Sequence, residues 1–119
     1  IACSPERSPA LHACLQAGLC VDVACEATLS DATAGGVEAG ALTVPLCLEV
    51  VDRSLLVSEE AIVEGMRYLL GTHHTMVEGA AAVVVAGWRQ VASEFHGRRV
   101  ALVLCGANVS LEVLKSVLP

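Results

Sequence analysis

The sequence predicts an α/β domain with a mostly parallel β-sheet and helices on both of its faces. Short apolar runs alternate with segments of helical periodicity, which is the pattern of β–α units. The run from Val100 to Cys105 is apolar throughout, as expected of a central strand that other elements cover on both faces. Gly106 allows a sharp exit from that strand, and Cys105 at its end is either a ligand contact or an ordinary buried residue.

Length and composition indicate a single globular domain. The 119 residues are 55% hydrophobic and 17% charged, which is sufficient for a real core. A net charge of -6 with only seven Lys and Arg argues against binding to nucleic acids or anionic membranes, since both need clustered cations. No apolar stretch approaches the roughly 20 residues of a membrane-spanning helix. We therefore expect neither a nucleic-acid partner nor a membrane partner.

The six cysteines show neither a CxxC pair nor a zinc-ligand spacing, and no signal peptide precedes them. We interpret them as reduced thiols of a cytoplasmic protein. The first residue, Ile1, already lies in an apolar run. We therefore expect the chain to be a piece of a larger protein.

The first elements are short. Residues 1–3 are predicted to end a strand, and Ser8 followed by Pro9 predicts the start of a helix that Gly18 ends. Residues 21–23 alternate Val-Asp-Val, which predicts a brief second strand.

Residues 28–40 contain three glycines and no hydrophobic period, so we predict a loop. Asp31 lies in this loop. It is a candidate ligand contact, because loops often carry binding groups, although a cap or turn residue is the commoner use of such an aspartate.

The middle of the chain predicts a helix over residues 42–51, a strand over residues 54–57 and a longer helix that begins after Ser58. Glu59 and Glu60 are favourably placed against the dipole of that helix. Its predicted buried stripe consists of Ile62, Met66 and Leu69.

The next predicted helix follows Glu78, a lone carboxylate that is either a partner of the helix dipole or a group of a functional site. Gly97 is predicted to end this helix, and Ser110 to start the last one. The predicted apolar faces are Val84, Trp88, Val91 and Phe95 in the first of these helices, and Leu111, Leu114 and Leu118 in the second.

Five short motifs occur in an order that resembles one enzyme family. They are Thr28-Leu-Ser-Asp31, Val51-Asp52, Leu56-Val-Ser-Glu-Glu60, Val77-Glu-Gly-Ala80 and Leu104-Cys-Gly-Ala-Asn-Val109. Together they cover nearly the whole chain and resemble the C-terminal portion of the pyridoxal-phosphate-dependent serine/threonine dehydratases. The resemblance implies fold type II architecture, similar to the tryptophan synthase β-subunit. Residues 1–119 would then form the later part of the large cofactor domain.

The resemblance also implies a cofactor, a reaction and a set of site residues. The cofactor is pyridoxal 5'-phosphate, and Cys105 matches the family position that faces its pyridine nitrogen, with Gly106 beside it. Glu78 matches a carboxylate near the ring, while Asp31 and Ala32 match the border of the substrate pocket. The implied reaction is β-elimination of a small hydroxy-amino acid such as threonine or serine, giving a 2-oxo acid and ammonia. A homo-oligomer, such as a dimer, is expected.

Departures from the family pattern are equally informative. The usual Ala-Asp-Gly is Ser30-Asp31-Ala32 here, which resembles the dehydratase-like branch of ectoine utilisation. Ser4 and Ala10 stand where some members have cation-binding carboxylates, so no metal is expected. The family's Schiff-base lysine and phosphate loop lie upstream, and the only lysine here is Lys115 on a polar helix face. We therefore expect no catalytic residue in this chain, an inactive chain when alone, and the N-terminal portion of the same enzyme as its partner.

Two alternatives remain open at this level. The chain could be a non-catalytic, standalone α/β module derived from such an enzyme, which binds a ligand or partner through a bare sheet edge. The complete enzyme could instead catalyse β-replacement or racemisation, since the motifs do not distinguish these reactions.

Overall fold

The computed structural model describes residues 1–118 of the chain. The strands are β1 (Ala2–Pro5) and β2 (Ser54–Val57). The helices are α1 (Ala10–Ala17), α2 (Thr43–Val50), α3 (Glu59–His73), α4 (Gly79–Val91) and α5 (Leu111–Val117), with short 3-10 turns at Asp31–Thr33 and Ala92–Phe95. None of the helices within residues 1–118 is long and apolar enough to cross a membrane.

The two strands pair in parallel, with Ala2 opposite Ser54. Helix α1 lies on one face of the pair, where the His12 Nδ1 and Ser54 Oγ atoms are hydrogen-bonded at 2.9 Å. Helix α4 lies on the other face, where Gly87 packs against Cys3 and Val57. This arrangement confirms the predicted α/β class, with a parallel sheet between helices.

The core lies between α4, α3 and the sheet. Ile62, Met66 and Leu69 of α3 are buried as predicted. Helix α4 is buried on more than one face, because both α3 and the two strands pack against it. Its buried positions are Gly79, Ala81, Ala82, Val83, Val85, Ala86, Gly87 and Val91. The predicted stripe is therefore only partly right, since Val84 and Trp88 are half-buried.

Two predicted helix starts are confirmed and one is wrong. The Ser58 and Ser110 hydroxyls accept hydrogen bonds from the backbone N–H groups two or three residues into their helices, at 3.3 and 3.1 Å. Ser8 does not cap α1, because Pro9 occupies the cap position. The Ser8 hydroxyl is buried and accepts a hydrogen bond from the Gly35 N–H at 2.8 Å. A long-range contact has thus replaced the local cap.

The predicted central strand over Val100–Cys105 is wrong for this structure. Residues 98–110 have no regular secondary structure, and Val103 is 68% exposed. A strand needs a neighbour with which to exchange backbone hydrogen bonds, and within residues 1–118 the sheet consists of β1 and β2 alone. The predicted strand over residues 21–23 is absent for the same reason.

The ends of the last two long helical segments also differ from prediction. Helix α4 ends at Val91 and continues as a 3-10 turn to Phe95, before Gly97 turns the chain at a φ of 74°. In α5 the core contact is made by Val117 and Val113, while Leu111 is 75% exposed. The helix is rotated from the predicted face because it rests on α3, where the Arg67 Nε donates to the Val117 carbonyl oxygen.

Candidate functional site

The loop that contains Asp31 is held in place by a carboxylate of α3. The Thr28 hydroxyl donates to one oxygen of Glu59 at 2.5 Å, and the Leu29 N–H donates to the other at 2.8 Å. The Ser30 side chain is fully buried, and its hydroxyl is hydrogen-bonded to the Thr33 hydroxyl at 2.5 Å. The loop is therefore a fixed part of the fold, although it has little regular secondary structure.

The same loop lies directly against the first residue of α4. A Cβ atom at Gly79 would overlap the Leu29 carbonyl oxygen and would lie 3.0 Å from the Ser30 nitrogen. Only a glycine therefore allows the loop backbone to approach the helix this closely. The contact brings the Asp31 loop next to Glu78, the residue that precedes the helix.

Glu78 joins α4 to the segment after Cys105. Its carboxylate makes no hydrogen bond to the free N–H groups of its own helix. It accepts instead from the Asn108 N–H at 2.9 Å, while the Glu78 N–H donates to the Gly106 carbonyl oxygen at 3.3 Å. Gly106 has a φ of 140°, and a Cβ atom there would overlap the Glu78 carboxylate. Close packing and backbone conformation both explain this glycine.

The remaining predicted site residues are open to solvent. Asp31 is exposed at the start of its 3-10 turn, and its carboxylate accepts from the Ala32 N–H at 2.8 Å. Ala32 is exposed, and Cys105 is exposed with a free thiol. The structure thus brings three predicted segments to the amino end of α4: the Asp31–Ala32 turn, Glu78, and the Cys105–Gly106 segment. Lys115 is exposed in the last turn of α5.

Two contacts of this region were missed from the sequence. Its position in the sequence indicates only that Glu59 is a partner of the helix dipole, but Glu59 also anchors a loop 30 residues earlier. The Asn108 backbone holds Glu78 across 30 residues. Neither contact has a local sequence signal, because each partner lies far away along the chain.

The carboxylate of Glu60, the residue after the loop anchor Glu59, is stabilised in its charged form by nearby groups. The pKa of Glu60 is lowered because its own backbone N–H and the Ser58 hydroxyl bind the carboxylate, with a smaller contribution from Arg7.

On the sheet, burial raises the pKa of the Cys3 thiol, partly offset by the chain's amino terminus. Within residues 1–118, no three His, Cys, Asp or Glu side chains are grouped so that they could hold a metal ion.

A cavity of the molecule lies away from these residues. It is a groove of about 630 Å³ between β1 and the extended segment after α4. One wall contains Ile1, Ala2 and Cys3, the floor contains Trp88, and the other wall is formed by residues 99–103. The groove is mainly apolar, and its β1 wall is the edge that does not pair with β2.

Comparison with known proteins places the chain in a family. A family model described as pyridoxal-phosphate dependent enzyme matches residues 1–106. The L-threo-3-hydroxyaspartate ammonia-lyase of Pseudomonas sp is 32% identical over 103 residues, covering 87% of this chain and 32% of that protein. The L-threonine ammonia-lyase of Geobacter sulfurreducens is 35% identical over 112 residues, covering 92% and 27%.

The fold is also found among solved structures. The structure of maize serine racemase superimposes with a TM-score of 0.83 at 22% sequence identity, over 97% of this chain and 36% of that one. The chain spans between 23% and 34% of the length of the curated relatives it matches. The matched family model covers nearly all of the sequence, and the chain therefore belongs to the pyridoxal-phosphate dependent enzymes, with the fold type II architecture of that group.

Proposed function

We propose that the complete protein is a pyridoxal-phosphate-dependent ammonia-lyase that converts a hydroxy-amino acid into a 2-oxo acid and ammonia. The carrying observation is the Glu78–Asn108 hydrogen bond, which joins two segments whose motifs match the cofactor-binding parts of such enzymes. The curated relatives support the reaction, since those described above are named ammonia-lyases for L-threo-3-hydroxyaspartate and L-threonine.

The residues present fit the cofactor on the side of its ring nitrogen. When bound, pyridoxal phosphate withdraws electrons from the substrate's α-carbon and so makes the α-proton removable. Cys105 is free and exposed beside Gly106, whose lack of a side chain lets the Glu78 carboxylate pack directly against this segment. A thiol is a weak, neutral hydrogen-bonding group, so it leaves the ring nitrogen unprotonated where a carboxylate would hold it protonated.

Glu78 acts in this proposal as a positioning residue for the Cys105 segment. Its carboxylate accepts from the Asn108 N–H, and its own N–H donates to the Gly106 carbonyl oxygen. These two hydrogen bonds bracket the residues that follow Cys105. They fix where the thiol lies relative to the amino end of α4, which is the end that favours negative charge.

Asp31 is the proposed substrate contact. Its carboxylate is exposed on a turn that Glu59 and Gly79 hold rigidly, so an amino or hydroxyl group of a substrate can reach it at little cost in loop ordering. Ala32 beside it adds a methyl group where the family has a glycine. In the proposed pocket this methyl group would lie at the border beside Asp31.

The N-terminal portion of the same enzyme is the proposed partner of this chain. It would supply the lysine that attaches the cofactor, since Lys115 is exposed on α5. We propose that one of its strands lies in the groove of about 630 Å³ between β1 and residues 99–103. That strand would pair with the free edge of β1 and would cover Val100–Leu104. All five of these residues are exposed, the four larger ones by at least 38%.

The test uses the complete protein purified with its cofactor. Formation of 2-oxo acid and ammonia is measured for L-threonine, L-serine and L-threo-3-hydroxyaspartate. We expect Cys105→Ser to retain most activity, because the hydroxyl replaces the thiol as a weak neutral group. Cys105→Ala should lose roughly 1–3 kcal/mol of stabilisation at the ring, or about 5- to 160-fold in kcat/KM.

Matched controls separate the site from the fold. Cys25→Ala removes another exposed thiol and should change neither activity nor cofactor absorbance. Glu78→Gln should lower activity while leaving the circular dichroism spectrum unchanged. Racemised amino acid without 2-oxo acid would refute the lyase, and equal activity of the Cys105 and Cys25 alanine variants would refute the site.

A further inference from the structure

Two of the six cysteines approach each other where the chain leaves α1: Cys14 lies within the helix, and Cys20 follows it by three residues. Cys14 is fully buried, and its Sγ accepts a hydrogen bond from the Val21 N–H at 3.4 Å and lies 3.7 Å from the Val21 carbonyl oxygen. The Val21 nitrogen is about 2.4 Å from the Cys20 Cα by standard backbone dimensions. The Cys14 sulfur therefore lies within about 6 Å of the Cys20 Cα, a separation that side-chain rotation together with a small backbone shift can close to a disulfide.

Cys20 has a second contact, which ties it to the chain beyond the Asp31 turn. Its thiol is directed at the Val37 carbonyl oxygen at 3.4 Å and at the Glu38 carbonyl oxygen at 3.7 Å. The other side-chain anchor of this segment is the Ser8 hydroxyl, which accepts from the Gly35 N–H. Cys20 thus lies between the buried Cys14 thiol and two loop carbonyl oxygens. Once its sulfur is bonded to Cys14, it has no proton to donate to those oxygens.

We propose that Cys14 and Cys20 form a reversible disulfide in the presence of an oxidising small-molecule disulfide, and that its formation releases residues 37–38 from Cys20. Both thiols are free in the reduced structure. Cys20 is half-exposed and is the thiol that a small oxidant reaches, whereas Cys14 is buried and reacts only within the protein. The proposal goes beyond the proposed lyase activity and does not depend on it.

The reaction is a pair of thiol–disulfide exchanges. Cys20 loses its proton and attacks one sulfur of oxidised glutathione, so the oxidant's S–S bond breaks and one glutathione thiolate leaves. Cys14 then loses its proton and attacks the Cys20 sulfur, which releases the second glutathione. Two protein thiols are oxidised, the oxidant takes up two electrons, and the two protons pass to the two glutathione thiolates.

The surroundings of Cys20 make this reaction slow rather than instantaneous. Partial burial raises the pKa of Cys20, with the neighbouring Cys14 thiol and Asp22 adding to the effect. Little of the reactive thiolate is therefore present at neutral pH. The exchange is therefore expected to be faster at higher pH, where more of the Cys20 thiol is ionised.

The experiment follows the thiols and the loop in one sample. The protein is equilibrated in mixtures of reduced and oxidised glutathione, its remaining thiols are alkylated, and the Cys14–Cys20 link is located by fragmentation mass spectrometry. We expect this link to form in wild type and to disappear on addition of reductant. Hydrogen exchange over residues 35–40 should be faster in the oxidised protein, because one of two side-chain anchors has been lost.

Three variants make the result decisive. Cys20→Ser should lose the link and take up no glutathione at this site, whereas Cys14→Ser should retain one glutathione on Cys20. Cys25→Ser, which removes the exposed thiol nearest in sequence, should behave like wild type. If Cys14→Ser fails to fold, the comparison of Cys20→Ser with Cys25→Ser still shows whether oxidation of Cys14 requires Cys20.

The proposal is overturned if oxidised wild type carries glutathione on Cys20 while Cys14 stays reduced. It is also overturned if Cys14 is linked to a cysteine other than Cys20, or if the Cys14–Cys20 link fails to form in Cys25→Ser. Unchanged exchange over residues 35–40 in a fully linked sample would overturn the release of the loop.

Discussion

Replacing Glu59 with glutamine tests whether the Asp31 loop is held by a single carboxylate. In the wild type, one Glu59 oxygen accepts from the Thr28 hydroxyl and the other from the Leu29 N–H. Glutamine has nearly the same shape but only one accepting oxygen. The glutamine oxygen can replace only one of the two Glu59 oxygens, and the NH2 group at the other position donates a hydrogen bond where the carboxylate accepted one.

The expected size of the effect follows from the two hydrogen bonds. A hydrogen bond to a charged group contributes about 1.5–3 kcal/mol, and one between neutral groups about 0.5–1.5 kcal/mol. Glu59→Gln weakens one bond and removes or reverses the other, so we expect a loss of about 2 kcal/mol in the free energy of unfolding. The variant also removes a charge from the amino end of α3, which is a separate effect.

Glu60→Gln is the matched control for that second effect. Glu60 lies next along the same helix terminus, is exposed, and makes no contact with the Asp31 loop among the hydrogen bonds of residues 1–118. Urea unfolding of both variants should show a clearly larger loss for Glu59→Gln, and hydrogen exchange should show faster exchange of the Leu29 N–H only in that variant. Equal losses in the two variants would mean that the loop is not anchored by Glu59.

Three further changes have defined outcomes. Gly106→Ala should displace the Glu78 carboxylate and strain the backbone, costing about 1–3 kcal/mol by urea unfolding, whereas Gly71→Ala, in an open helical position, should stabilise by up to about 1 kcal/mol. Because the pKa of Glu60 is lowered by folding, its contribution is complete at neutral pH and is lost as the pH falls through the folded-state pKa. Glu60→Gln should therefore flatten the acid side of a thermal-stability profile, and an unchanged profile would contradict this. Val103→Ser should change the stability of this chain by less than about 0.5 kcal/mol, because Val103 is exposed, yet should weaken co-purification with the N-terminal portion.

The sequence was most informative where structure depends on neighbours along the chain. Ser58 and the glutamates after it predict the start of α3, and Ile62, Met66 and Leu69 are buried as their spacing requires. The alternation of short apolar runs with helical periods predicted the α/β class, and the segments that the family motifs mark meet at the amino end of α4.

The failures concern elements that need distant partners. An apolar run such as Val100–Cys105 has strand propensity, but a strand exists only where another strand completes its hydrogen bonds. Ser8 has the chemistry of a helix cap, yet Gly35 competes for its hydroxyl. The buried face of α5 is set by its docking on α3, so a helical period inside α5 alone could not identify it.

The parallel pairing of β1 with β2 has a consequence for the order of folding. Ala2 pairs with Ser54, so this contact closes a loop of about 50 residues. The entropy lost in closing the loop must be offset by other stabilising contacts. Helices α3 and α4 are joined by a short connection and meet closely, with Gly65 against the Ala82 carbonyl oxygen. We expect this helical hairpin to form first and to present α4 as the surface on which the two strands later pair. The amino end of α4, where the candidate site residues meet, would then be organised before the sheet.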